Sequence, residues 1–453
     1  MATATNPFLS PPQIVPSVPA MRGLPLLGNM LQFRKDRLAL HDAAAEVGPV
    51  TRFQILHIPI YSITDADLAH QVLVTEAASF KKSAGLGFLM PLLGEGLLTS
   101  EGEVHKQHRK LLAPAFAPKR LAAYGNVMVE ETKRQLAGWH KGKQVDIAEE
   151  MMEMTLAIAG RTMFDADVRN DASTVATGLE LAMRSMLASI TSPLQVPYSW
   201  PLPRHQQMKR AVKMLDSVVY RMIADGRAAN TDKGDVMSML LLARDEDGTG
   251  LSDKQVRDEA MTLLLAGHET TANTLTWTWY ELGRNPAAVE RLEEELARVL
   301  GGRTVTAEDL PNLPWTAAVI DEAMRLHPPA YQTGREACNE VTIGDHRFPE
   351  RSIVVINIRG IHRRADYFPA PLAFRPERML AAQKKARPRH HYLPFGAGPR
   401  VCIGSHFALM EAQLCLATMV QAARVRPTVT HVVPEPLVTL RPKGGLPAIV
   451  ELK

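Results

Sequence analysis

Of the three cysteines in the chain, Cys402 sits where a sulfur can do chemistry. It lies in Phe395-Gly396-Ala397-Gly398-Pro399-Arg400-Val401-Cys402-Ile403-Gly404, a glycine-rich loop running into a final helix expected over Ser405–Ala423. A thiolate placed just before a helix start gains from unpaired backbone N–H groups and the positive end of the dipole. Gly398 and Gly404 permit the tight backbone and close approach that a flat ring over the sulfur demands. Arg400 can turn towards an anionic substituent of such a ring. A lone cysteine is more often a small buried hydrophobe, but this loop gives a structural cysteine no reason to be there. Cys415, on the apolar face of the final helix, reads as core, and Cys338 has no supporting motif.

A second set of residues lies midway along the longest expected helix. Ser252 and Gln255 form a capping-box pattern at its start. The helical pattern continues to about Gly283, and Asn285-Pro286 opens the next helix with a cap and a proline at its first position. A helix of about 30 residues spans roughly 45 Å, so it crosses the domain and is buried along most of its length. Its centre reads Leu265-Ala266-Gly267-His268-Glu269-Thr270-Thr271. Glycine there costs about 1 kcal/mol relative to alanine, and a charged Glu among leucines costs more if unpaired. Small residues such as Ala266 and Gly267 let something flat approach the backbone. An acid beside a hydroxyl, Glu269 with Thr270, can pass protons or hold water. Taken alone, the same residues read equally well as a kinked helix with a solvated Glu.

The elements that must position these groups are mostly helices. Helical spacing runs almost unbroken from about Gly102 to Leu326. Short strands are expected before it, as a hairpin of Val50–Leu56 and Ile60–Ile63, and after it, at Glu340–Ile343 and Ser352–Ile358. An irregular proline-rich stretch follows from Arg363 to Gly398. The expected fold is mainly α: one large α-rich domain over residues 26–453, with small β-sheets near the N- and C-terminal parts whose strands pair with one another. Residues 1–25, rich in Pro, are expected to be a flexible segment. Of 453 residues, 46% are hydrophobic, enough for a sizeable core, and a net charge of +4 is too small and scattered to argue for nucleic acid. No Cys-x-x-Cys pair, signal pattern or apolar run of membrane-spanning length is present. A cytoplasmic protein in a reducing compartment is therefore expected.

In this order, the residues resemble the cytochrome P-450 family, soluble bacterial type, across essentially the whole chain. Phe395-x-x-Gly398-x-Arg400-x-Cys402-x-Gly404 matches the family's haem-ligand signature at every defined position, and Ala266-Gly267-x-Glu269-Thr270-Thr271 matches its oxygen-activation motif. Glu322-Ala323-Met324-Arg325 matches the Glu-x-x-Arg motif, and Phe374-Arg375-Pro376-Glu377-Arg378 looks like the meander whose Arg378 completes a triad with Glu322 and Arg325. Physically, a carboxylate between two forked guanidinium groups can pin the irregular stretch to a helix. Where many members carry Trp-x-x-x-Arg, this chain has His105-x-x-x-Arg109, which resembles bacterial variants.

The resemblance implies haem b with Cys402 as axial thiolate, a ligand that favours O–O cleavage. It implies His105, Arg109, Arg335 and Arg400 at the propionates, with Ala266, Gly267, Phe395 and Gly404 against the ring. It implies proton delivery through Thr270 and Glu269. Pocket walls would include Phe88, Leu89, Ala266, Ala330, Tyr331 and Val438, which suits a medium-to-large apolar substrate such as a fatty acid, terpenoid, steroid or polyketide. The implied reaction is insertion of one oxygen atom from O2, by hydroxylation or epoxidation. Electrons would come from a separate ferredoxin or flavodoxin with its NAD(P)H-dependent reductase, docking on a basic patch with Lys106, Lys110, Lys384, Lys385, Arg387 and Arg389. A monomer is expected. Two alternatives stand beside this: a haem-thiolate peroxygenase or lipid-rearranging enzyme, and a non-enzymatic haem sensor. Members of the former kind lack the acid–threonine pair. For a zinc site, His105 and His108 alone are too few ligands, and His390-His391 reads as a solvated loop pair.

Overall fold

The computed structural model describes residues 13–192, 196–229, 231, 233–244 and 250–453. Six helices frame the site: α1 (Gly102–Leu112), α2 (Ile147–Phe164), α3 (Pro203–Ala229), α4 (Asp253–Arg284), α5 (Pro314–Leu326) and α6 (Ser405–Ala422). The axis of the molecule is α4. Its first turn carries the reciprocal cap: Gln255 N–H donates to Ser252 Oγ at 3.3 Å while Ser252 N–H donates to Gln255 Oε1 at 2.9 Å. From there α2, α3, α5 and α6 pack around it, and its leucines and Trp277 join one large core with the methionines of α2 and α3.

The principal sheet has five strands, β1 (Val50–Ile55), β2 (Ile58–Ile63), β3 (Phe80–Lys82), β4 (Thr333–Ala337) and β5 (Ile353–Ile356), in the order β1-β2-β5-β4-β3. The hairpin turn falls on Leu56-His57, with Leu56 at φ 55°; the second strand starts at Ile58, two residues earlier than expected, so Pro59 sits inside β2, opposite Gln54. Because β2 runs parallel to β5, and β4 antiparallel to it, this sheet joins the chain's first part to its middle. Two strands the sequence pattern did not mark, β4 and β3, bring Lys82 opposite Arg335.

The expected pairing of strands from the two parts of the chain is met in the principal sheet, where β2 lies beside β5. The last strand, Pro447–Leu452, pairs with Gln144–Asp146 and Ala423–Pro427 in a separate three-stranded sheet. Short exposed strands carry little periodicity, so sequence alone cannot choose their partners.

Residues 1–12 of the proline-rich segment lie outside the described residues. From residue 13 the chain lies against the principal sheet. Val15 and Val18 are buried, Val15 N–H donates to the Tyr61 hydroxyl at 2.9 Å, and Met21 N–H donates to Arg52 O at 2.8 Å. Among the described residues no helix is long and apolar enough to cross a membrane.

Candidate haem and oxygen-activation site

The loop before α6 is held by its own backbone. Cys402 N–H donates to Phe395 O at 3.0 Å, and Arg109 of α1 donates to Val401 O at 2.8 Å. Gly398 is at φ 69°, and a Cβ added there would lie 1.9 Å from Leu73 O, so only glycine fits. Gly404 is different. Its φ is −89°, and an added Cβ would meet only Phe116 at 3.5 Å. What Gly404 provides is its N–H, aimed at the Cys402 sulfur, at the start of α6.

Cys402 keeps accessible surface, yet burial pushes its thiol up, against the Gly404 N–H and the Arg109 charge that pull it down. A side chain both reachable and desolvated lines an internal recess. Cys415 is fully buried, and its sulfur accepts from the Thr132 hydroxyl at 3.2 Å. Burial and nearby Glu411 push that thiol up strongly. It is a packed core residue with no room for a partner.

On α4, every residue from Val256 to Leu282 is buried except Ala266, Gly267 and Thr270. Ala266 and Thr270 are four apart, on one face, so a helix otherwise enclosed has one open patch. Gly267 faces elsewhere: its missing Cβ makes room for Met163 and Ala159 of α2, with Met163 Cε 3.2 Å from the place a Cβ would take. That glycine serves helix packing. The Thr270 hydroxyl donates to Ala266 O at 2.8 Å, which leaves its lone pairs to the open face. Glu269 does not touch Thr270. Its Oε1 accepts from the Thr439 hydroxyl, and burial raises its carboxyl to about 7.

A group of basic side chains gathers at the edge of the recess. Arg400 donates to Ser100 O at 2.9 Å and pairs with Glu101. Among the described residues Arg335 donates only to Thr333 Oγ1 and Gly334 O, each at 3.0 Å. Lys82 Nζ rests on the carbonyls of Leu97, Leu98 and Ser100. Burial first, then mutual repulsion, lowers Lys82 to about 7, Arg335 to about 10 and His105 to about 4. His105 is therefore a neutral donor near pH 7, not a cation. A desolvated cluster of this sign fits a dianion. Lys82 and Glu101 were missed from sequence, because only the β3–β4 register and the loop before α1 bring them there.

The Glu322–Arg325 pair is fully buried, with two parallel bonds of 2.8 Å each. The other side of Glu322 takes Arg378 Nε at 3.1 Å and the Arg375 N–H at 2.9 Å. Arg325 donates onward to His362 O and Pro371 O, both at 2.8 Å, and Arg378 to Pro369 O at 2.9 Å. The triad thus holds the meander at several points at once. His362, which sequence did not single out, adds another: its ring accepts from Leu393 N–H at 2.8 Å, and burial keeps it neutral, near 3.

Other expected site residues disperse. Phe88, Ala266, Ala330 and Val438 keep accessible surface, but Leu89 and Tyr331 are buried. Tyr331 packs with Leu38 and Leu440, and its hydroxyl is committed to Leu437 O and Arg37, so it braces the fold. The family resemblance implies a further pocket wall in the Met183 to Trp200 region, of which residues 193–195 lie outside the described residues. His108 pairs with Glu259 at 2.6 Å. His390 and His391 are not a solvated pair: the first meets Asp67 at 2.7 Å and the second stacks on Tyr367 at 3.9 Å. Lys384 pairs with the buried Asp321, and Arg387 lies over the Phe368 ring, so both are structural.

A reachable, desolvated cysteine, an open patch on a buried helix and a cationic rim define a protein built to hold a flat, acidic cofactor by a sulfur. The chain matches cytochrome P450 over residues 18–446 and belongs to that family. It is 35% identical over 422 residues to cyclooctatin synthase of Streptomyces melanosporofaciens, covering 92% of each chain. It is 33% identical to cyclooctat-9-en-7-ol 5-monooxygenase of the same organism, covering 94% of each. Pentalenene oxygenase of Streptomyces avermitilis is 31% identical, over 89% of this chain and 90% of the relative. The protein is a mainly α, haem-dependent cytochrome P450 monooxygenase whose cofactor is bound through a cysteine thiolate.

Proposed function

We propose that this P450 inserts one oxygen atom into a medium-sized, cyclic apolar substrate of the terpenoid class, with Cys402 as the haem ligand and Thr270 and Glu269 as the proton relay. The observation that carries the site assignment is the accessible patch of Ala266 and Thr270 on an otherwise buried helix, together with the reachable sulfur of Cys402. The substrate class rests on relatives named for cyclooctat-9-en-7-ol and pentalenene. Of the expected lining, Phe88, Ala266, Ala330 and Val438 are accessible and uncharged, which suits a molecule with little to hydrogen-bond.

When bound, haem supplies the reduction of dioxygen and the transfer of one oxygen atom. The protein's own residues do the rest. Cys402 presents its sulfur to the metal, steadied by the Gly404 N–H. Arg335, Arg400, Arg109, His105 and Lys82 receive the propionates. Thr270, its hydroxyl proton on Ala266 O, holds a solvent molecule by its oxygen at the open face, and Glu269, poised near neutrality, supplies the proton that this molecule passes on. An intact acid–threonine pair favours this reading over the peroxygenase and sensor alternatives.

Pentalenene and cyclooctat-9-en-7-ol, added to the purified protein, should shift the Soret band by displacing water from the pocket, while long-chain fatty acids should not. With the better ligand, Thr270→Ala should keep haem content and lower product per NADPH by roughly tenfold or more, the balance appearing as peroxide. Full coupling in that variant would remove the relay, and a shift with fatty acids alone would remove the substrate class.

Electrons are proposed to come from a separate acidic ferredoxin or flavodoxin with its reductase, in the cytoplasm. The docking patch is smaller than the basic run implied. Lys384 and Arg387 are engaged and the exposed Lys106 pairs with Glu103 at 2.6 Å, leaving Lys110, Lys385 and Arg389 exposed and outside any salt bridge among the described residues. Reversing these three to Glu should slow reduction by the partner about tenfold at low salt, converging with the native rate as salt rises. Stopped-flow rates insensitive to both would exclude this face.

A further inference from the structure

Glu269, Asn273 and Trp277 are spaced four apart on α4 and form one stripe. Each meets the turn at residues 437–440. Glu269 Oε1 accepts from the Thr439 hydroxyl, Asn273 Nδ2 donates to Thr439 Oγ1 at 3.2 Å, and Trp277 Nε1 donates to Leu440 O at 3.0 Å. The turn is anchored from its far side, where Leu440 N–H donates to Pro329 O at 2.9 Å and the Tyr331 hydroxyl donates to Leu437 O at 3.0 Å. Thr270 lies about 100° round the helix from Glu269, on the accessible face with Ala266. The acid and the alcohol are neighbours in sequence but bond in different directions.

We propose that Thr439 is a positioning residue for oxygen activation: its hydroxyl parks Glu269 on the C-terminal turn, and a proton reaches Thr270 only when Glu269 leaves it. This rests on the reading of Thr270 and Glu269 as the relay. In the transfer, the O–H bond of the Glu269 carboxyl breaks and its proton passes to a solvent molecule hydrogen-bonded to Thr270. The carboxylate left behind returns to the Thr439 hydroxyl, which donates to it, and is reprotonated from solvent. Asn273 donates to the Thr439 oxygen, which orients the threonine proton towards Glu269.

The surroundings make Thr439 the adjustable member. Burial raises the Glu269 carboxyl to about 7, while the Thr439 hydroxyl and the charge of Arg441 pull it down. Arg441 is itself bound to Glu435 at 2.8 Å. The other titratable groups nearby face away: His268 turns its ring to Leu264 O at 2.8 Å, and Glu411 of α6 lies towards Thr271. Losing the Thr439 hydroxyl therefore raises the Glu269 carboxyl further. The protonated form is the donor, so delivery is present below that value and lost as pH rises through it.

The test uses full-length, haem-loaded protein reduced through a ferredoxin and its reductase, with no substrate added. Peroxide formed per oxygen consumed is measured from about pH 6 to about pH 9. In the native protein peroxide should rise as pH passes about 7. In Thr439→Val the rise should move up by about one pH unit, and in Thr439→Ser it should return to the native position. An infrared carboxyl band, assigned to Glu269 by its loss in Glu269→Gln, should titrate with the same displacement. Superimposable profiles for the native and Thr439→Val proteins, or a Ser variant that behaves like Val, would overturn the parking role and leave the relay standing. Thr270→Ala separates the two: peroxide high at every pH supports the relay, whereas a native profile in that variant overturns relay and parking together.

Discussion

Cys402→Ala should abolish the strongly red-shifted Soret band of the ferrous carbonyl complex, and Cys415→Ala should keep it. The two thiols differ in what surrounds them, not in chemistry. Cys402 stands in a loop whose backbone N–H groups and Arg109 favour negative sulfur, with accessible surface beside it. Cys415 is fully buried, bonded to Thr132, and close to a buried carboxyl that opposes a second negative charge. Removing the Cys415 sulfur leaves a small cavity costing about 1 kcal/mol, so that protein should still fold and load. Removing Cys402 should leave loosely held haem, retained by the cationic rim, with the carbonyl spectrum of histidine or water ligation. An unchanged spectrum in Cys402→Ala would sink the ligand assignment.

Arg325→Ala should be the most damaging substitution away from the cofactor. It leaves Glu322, wholly buried, with Arg378 and one backbone N–H as its remaining partners, and it takes from the carbonyls of His362 and Pro371 the guanidinium they accept from. Breaking a buried pair in this way costs about 3–5 kcal/mol. The meander that the arginine gathers leads directly into the Cys402 loop, so haem content should fall together with stability. Arg325→Lys should recover little, because a single ammonium cannot reproduce the fork that engages both carboxylate oxygens and the carbonyls beyond. Urea unfolding midpoints and haem per protein would check this; an Arg325→Ala protein with native values in both would show that the triad is dispensable.

The parts of the site legible in sequence are those whose partners lie within a turn or two. The capping box at Ser252, the i, i+3 pairing of Glu322 with Arg325, and the glycine at 398 announce themselves through local spacing. What could not be read came from distant pairings. Lys82 reaches the rim because β3 lies against β4, and Thr439 meets Glu269 because a C-terminal turn docks on α4. Neither residue carries a local signal, since a lysine in a short strand and a threonine in a turn are ordinary. Gly267 carried an ambiguous signal: a small residue mid-helix says that something comes close, but not what, and one such neighbour is Met163. Basic residues in the meander looked alike for a related reason. Lys384 and Lys385 are sequence neighbours, yet only the first faces Asp321.

Lys82, Arg335 and Arg400 repel one another across a desolvated recess, with Glu101 facing all three and Glu259 also acting on Lys82. A cofactor arriving with two carboxylates is thus a missing structural part as much as a reagent. Mass action then ties the abundance of the protein to the supply of that part, since a ligand present at a thousand times its Kd adds about 4 kcal/mol to the stability of the fold. A cell short of haem should hold less of this protein, because unloaded chains unfold and are degraded rather than because fewer are made.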